Sequence, residues 1–133
     1  MGKPMEDSVV LSSTASQTEL SIVLIPSPGD LPKPSKEYQA ELTAFARSMR
    51  EQRIDFSSRA YMMESASGGG YALGEFLAVA KTISPALAGL VGAWLHAKYG
   101  RKVKLKYKNL QVEATNVEEV ERMVKLVRER GKK

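Results

Sequence analysis

The spacing of apolar residues switches several times between every second position and the three-four rhythm of a helix, and those switches lay out the chain. Between Thr18 and Ile25, Leu20, Ile22 and Leu24 alternate with Ser21, Val23 and Ile25, which predicts a strand buried on at least one face. Four prolines and a glycine from Pro26 to Pro34 end it, since proline has no amide proton to give a ladder. Ser35 then stands where an N-cap should, and Tyr38, Leu42, Phe45 and Met49 recur as one apolar stripe. This predicts an amphipathic helix ending near Arg53.

The next stretch is less regular. Phe56, Arg59, Tyr61 and Met63 predict a second strand over residues 58–64, with a turn at Ser57 and Ser58. Gly68, Gly69 and Gly70 predict a loop, because glycine weakens helix and strand interiors alike. From Tyr71 to Tyr99 the chain is mostly apolar. Leu73, Phe76, Leu77, Ala80 and Ile83 fit one helical stripe, and Leu87, Leu90, Val91, Trp94 and Leu95 fit another. Pro85 between them predicts a kink or break, Ser84 could cap the second half, and Gly100 stands as its C-cap.

The clearest strand signal follows. Val103, Leu105 and Tyr107 alternate with Lys102, Lys104, Lys106 and Lys108, then Leu110, Val112 and Ala114 alternate with Gln111, Glu113 and Thr115. A turn at Lys108-Asn109 would fold these into an antiparallel hairpin with one wet face. Asn116 with Glu119 reads as a capping pair for a last helix whose buried stripe is Val117, Val120, Val124 and Val127. The predicted order is β-α-β-α-β-β-α. It makes an α+β domain over residues 18–130, with a small, mostly antiparallel sheet and helices packed on one face. Residues 1–17 read as a flexible N-terminal arm.

Composition narrows the chemistry. With 133 residues, 43% of them hydrophobic, one core can form without staples. There is no cysteine and one histidine, which removes disulfides, thiolate zinc sites and cysteine nucleophiles from this chain. His96 has no neighbouring carboxylate in sequence to orient it as a base. The glycine triplet lacks the Gly-Lys-Ser/Thr that opens a phosphate-binding helix. No catalytic residue, cofactor site or metal site is therefore expected. The acidic N-terminal residues Glu6 and Asp7 and the absence of cysteine lead to an expectation of a cytoplasmic protein.

Net charge is +5, and Lys98, Arg101 and the alternating lysines concentrate it. The candidate partner-binding residues are Lys102, Lys104, Lys106 and Lys108, with Trp94 on the apolar helix. Three readings stay open. The lysines and Trp94 could dock a protein. The Lys98–Lys108 stripe could bind nucleic acid through its phosphates, although the lysine face carries no aromatic on which a base could stack. The run of residues 76–97 is nearly long enough to insert in a membrane, against which stand Lys81 and Pro85.

The glycine triplet leading into Leu73 and an alanine-rich apolar segment, then Leu90-Val91-Gly92-Ala93-Trp94-Leu95, the basic strand Val103-Lys104-Leu105-Lys106 and the short helix from Val117 resemble a known pattern. Over residues from about 65 to 127 the chain resembles the effector-associated constant component family of bacterial conflict systems. The first strand and the Tyr38–Met49 helix sit where that family has its own. The resemblance implies a small non-enzymatic adaptor that couples an ATPase or sensor to a protease-like or other effector, in antiviral defence. The proline-rich loop and Pro85 depart from the pattern, and no functional residue is carried over.

Overall fold

The computed structural model describes residues 19–62 and 70–131; the expected arm over residues 1–17 and the loop glycines Gly68 and Gly69 lie outside them. Among the described residues there are five strands: β1 (Glu19–Ile25), β2 (Phe56–Met62), β3 (Gly70–Val79), β4 (Lys102–Tyr107) and β5 (Leu110–Ala114). Three helices accompany them: α1 (Lys36–Glu51), α2 (Ala86–Ala97) and α3 (Val117–Gly131). The order is β-α-β-β-α-β-β-α, and the strands form one antiparallel sheet ordered β2-β3-β1-β4-β5. The first six elements interlock two split β-α-β units, the ferredoxin-like connectivity, and the β5–α3 extension widens the sheet.

Most of the predicted elements are present. Ser35 caps α1 by accepting from the Tyr38 amide at 3.2 Å. Asn116 Oδ1 accepts from the Glu119 amide while Glu119 Oε1 accepts from the Thr115 amide, both at 3.0 Å, so α3 starts where the capping pair placed it. The hairpin turns at Lys108, whose φ is 55°, and Asn109. Residues 58–62 of the strand expected over 58–64 belong to β2, which starts two residues earlier and includes Ser57 and Ser58, while residues 63 and 64 lie outside the described residues.

The helix expected over Tyr71–Ile83 is not there. Residues 70–79 are β3, residues 80–82 make one turn of 3-10 helix, and only α2 is helical before Gly100. The reason is composition. β3 is buried on one face only, but its outward positions include Leu77 and Val79, and a strand apolar on both faces loses the alternation that marks a half-buried strand. Residues 76–97 are thus the end of a strand, a turn and a short helix, and do not form one continuous apolar helix. Among the described residues no helix is long and apolar enough to cross a membrane. Pro85 stands at the start of α2, where its missing amide costs nothing, and does not kink a long helix. Ser84 hydroxyl makes no capping bond; its carbonyl accepts from the Leu87 amide instead. Gly100 lies beyond the helix end, in the loop that follows.

One core joins all the helices to one sheet face. Leu20, Ile22 and Leu24 of β1, Phe76 and Ala78 of β3, and Val103, Leu105 and Tyr107 of β4 are buried against Tyr38, Leu42, Phe45 and Met49 of α1, Leu87, Val91 and Leu95 of α2, and Val120, Val124 and Val127 of α3. Gln39 ties α1 to the sheet at the point where β1 has already ended. Its amide accepts from the Ala72 amide at 2.8 Å and donates to the Ala72 carbonyl at 2.9 Å, replacing a missing strand partner. Residues of the opposite parity face the other way, and no described element covers them.

Candidate functional site

Alternation along β4 sends residues 103, 105 and 107 into the core, and the same parity delivers Arg101 to the buried side just before the strand starts. Its side chain is fully buried. Nε donates to Asp30 Oδ2 at 3.0 Å and Nη2 to Asp30 Oδ1 at 2.6 Å, a forked pair. Nη2 also donates to Glu41 Oε1 at 2.6 Å, and Nη1 to the Trp94 carbonyl at 3.1 Å. That carbonyl is one of the last four of α2, left without a partner inside the helix. The guanidinium also lies over the Trp94 ring, 4.6 Å from its centroid. One arginine therefore fastens the β1–α1 loop, α1, the end of α2 and the start of β4.

The loop between β1 and α1 is built to meet it. Asp30 Oδ2 accepts from the Ser27 amide at 2.8 Å, the Asp30 amide donates to the Ser27 carbonyl at 3.0 Å, and Ser27 Oγ accepts from the Gly29 amide at 3.2 Å. Opposite stands Gly100 with φ of 95°, where a side chain would come within 3.2 Å of Ser27 Cβ. Glycine there permits both the left-handed turn and the approach of the two loops.

The charges are fixed. The Arg101 hydrogen bonds hold the Asp30 carboxyl below its ordinary value despite the opposing pull of burial. Burial pulls Arg101 down, but the hydrogen bonds and charges of Asp30 and Glu41 outweigh it and raise it. Tyr38, buried beneath with no partner for its hydroxyl, is pushed up to about 12 by desolvation first and by the Asp30 charge second. A pair locked as anion and cation does not trade protons near neutrality. Its chemistry is to hold the loops.

What those loops present is distinctive. Leu31 (49% exposed) and Tyr99 (101% exposed) are the exposed large hydrophobic side chains among the described residues, one on each of the two fastened loops. Their exposed or half-exposed charges are Lys33 and Lys98; the one carboxylate in residues 26–35 and 98–101 is Asp30, taken by Arg101. Beside them an apolar groove of about 320 Å³ runs between α1 and α2, lined by Ala44, Phe45, Leu90 and Ala93, with half-exposed Glu41 and buried Arg101 at one end.

The expected site residues separate. Lys102, Lys104 and Lys106 share the uncovered sheet face, as alternation predicts. Lys108 sits on the hairpin turn with its ammonium 5.3 Å from the Tyr107 ring. Trp94 is 5% exposed, on the helix side of the sheet and under Arg101, so it does not join the lysines in one surface. Alternation could have exposed Arg101 as a core-facing charge in need of a partner; nothing in the sequence points to Asp30 and Glu41, 71 and 60 residues away. His96 is exposed on the last turn of α2. Among the described residues, no group of three or more His, Cys, Asp or Glu could hold a metal ion. No protein-family model, curated protein or solved structure matches the chain.

Proposed function

We propose that this protein is a non-enzymatic interaction domain that docks a protein partner through the end formed by the 26–35 and 98–101 loops. The observation that carries the reading is the pairing of a buried latch with an exposed apolar surface. Arg101 and Asp30 fix the two loops whose Leu31 and Tyr99 stand out in solvent. Tyrosine is enriched among the residues that dominate interface energies, and rigid loops lose little freedom when a partner arrives. Lys33 and Lys98, with no exposed carboxylate on either loop, suit a partner that rings an apolar patch with acidic side chains.

Such a domain suits the role of adaptor between an ATPase or sensor and an effector, the partner class that the resemblance to conflict-system components implies. A chain without cysteine suits the reducing cytoplasm where that pairing would work. The test is affinity purification of the tagged chain from its host, at moderate and at high salt, beside a folded Leu31→Ala/Tyr99→Ala variant. The reading expects a protein partner that survives high salt and is lost with the double variant. A partner retained by the double variant overturns it, as does recovery of nucleic acid alone that high salt removes.

A further inference from the structure

The uncovered face of the sheet has a charge pattern that the registers make explicit. One row across the five strands runs Arg59 (β2), Glu75 (β3), Val23 (β1), Lys104 (β4) and Glu113 (β5): Val23 pairs with Glu75 on one side and Lys104 on the other, Lys104 pairs with Glu113, and Arg59 reaches Glu75 in a 3.6 Å ion pair. The signs are plus, minus, neutral, plus, minus. The row is antisymmetric in charge about the central strand.

The same face is apolar at its centre. Val23 and Ile25 of β1 and Leu77 and Val79 of β3 point away from the helices and are only half-buried. A sheet face turned to water normally carries polar residues at such positions. Here two neighbouring central strands offer aliphatic side chains, flanked by charges.

We propose that this face binds a second copy of the chain, sheet against sheet, about a two-fold axis that runs in the general direction of β1 and bisects the small angle between the two copies of that strand. Rotation about that axis exchanges the two sides of the sheet. Glu75 then lies over Lys104 of the other copy, Lys104 over its Glu75, Arg59 over its Glu113, and Val23 over its Val23. In the adjacent row, Ser21 meets Ser21 and Leu77 covers the stem of Lys106. The other two-fold through Val23, lying across the strands, puts Glu75 on Glu75 and Lys104 on Lys104, so the charges select one packing. Aligned sheets stack about 10 Å apart with their strands turned by about 30°, which separates the members of the Glu75–Lys104 pairs by a few ångströms, within side-chain reach. Each copy then contacts the same patch of the other, as a closed two-fold requires. Five short strands make a small interface, and the expected dimer is in the micromolar range.

Sedimentation equilibrium of the full chain across about 1–300 µM tests this, read against the two-fold geometry. A monomer–dimer equilibrium is expected. Glu75→Lys and Lys104→Glu, both at surface positions and each checked for folding by circular dichroism, are each expected to weaken self-association at least tenfold. An equimolar mixture of the two is expected to restore it as a heterodimer. The two substituted positions then face each other with opposite charges, and the native Lys104 of one copy faces the native Glu75 of the other. Monomer throughout the wild-type range overturns the proposal. So does dimerisation of either single variant at wild-type strength. A dimer lost only with Leu31→Ala/Tyr99→Ala would place self-association at the loops and overturn it as well.

Discussion

Removing Arg101 while keeping its size isolates what the latch contributes. In Arg101→Met the chain keeps an unbranched apolar side chain at 101 but leaves Asp30, 3% exposed, as a buried carboxylate with Ser27 beside it and no cation. Glu41 is two-fifths exposed and can turn to solvent, so its share of the loss is small. The orphaned Asp30 decides the magnitude. Breaking a buried pair by removing one partner costs about 3–5 kcal/mol, which for a domain of this size lowers Tm by roughly 12–20 °C at about 4 °C per kcal/mol. Removing both charges, as Arg101→Met/Asp30→Leu, should recover most of that loss, because a well-packed apolar pair is often as stable as a buried ion pair. Thermal and urea unfolding of the four proteins of this cycle measure the coupling. The pH dependence has a definite sign. Asp30 titrates below its ordinary 3.8 in the folded state, so its stabilisation is present above pH about 4 and lost as pH falls through the lowered value; the doubly neutral variant should lack that acid limb. A cost below about 1 kcal/mol for Arg101→Met, the range of an exposed ion pair, would refute the claim that this pair is a buried fastening.

Other expectations follow from single contacts. Gly89 has open space around the position of a Cβ, so Gly89→Ala should stabilise by about 0.5–1 kcal/mol through helix propensity, read in urea midpoints. Gly92→Ala should lack that gain or destabilise by about 1–2 kcal/mol, because its Cβ would stand 2.9 Å from a methyl of the stiff Val117, and Val117→Ala should relieve it. Tyr38→Phe removes a buried hydroxyl with no partner and should be neutral or slightly stabilising; in wild type, one tyrosine should ionise only near pH 12 by ultraviolet titration, and that step should vanish in the variant. Since the unfolded tyrosine ionises near 10, stability from Tyr38 should fall as pH rises above that value. Gln39→Ala leaves the Ala72 amide and carbonyl without their partner, and should cost about 1–3 kcal/mol with faster hydrogen exchange at Ala72.

Where one face of an element meets water, the chain announces the element. The α1 stripe, the lysine alternation of β4 and the Asn116–Glu119 cap each placed their elements correctly, because amphipathic periodicity and end chemistry are local. β3 defeated the same reasoning. Its outward positions carry Leu77 and Val79, so it reads as a continuous apolar run, and the bulged pairing around Gly74 (φ 80°) breaks what rhythm remains. The loops were legible as loops from Pro26–Pro34 and Gly100, but not as one surface. Their union depends on Arg101 finding Asp30, a contact across 71 residues that no local pattern encodes. Trp94, a candidate partner-binding residue on the apolar helix, is instead 5% exposed beneath the Arg101 guanidinium.

The most direct test of the docking surface is a photo-crosslinker placed at position 99, in the tagged chain expressed in its own host. A tyrosine site tolerates a benzophenone-bearing phenylalanine, and Tyr99 stands wholly in solvent, so folding should be unaffected. A control carries the same group at the exposed position 129, near the end of α3. The account predicts one discrete adduct to a different protein from position 99, weakened by Lys33→Glu/Lys98→Glu and absent from position 129. An adduct from position 129 with none from position 99 would contradict it.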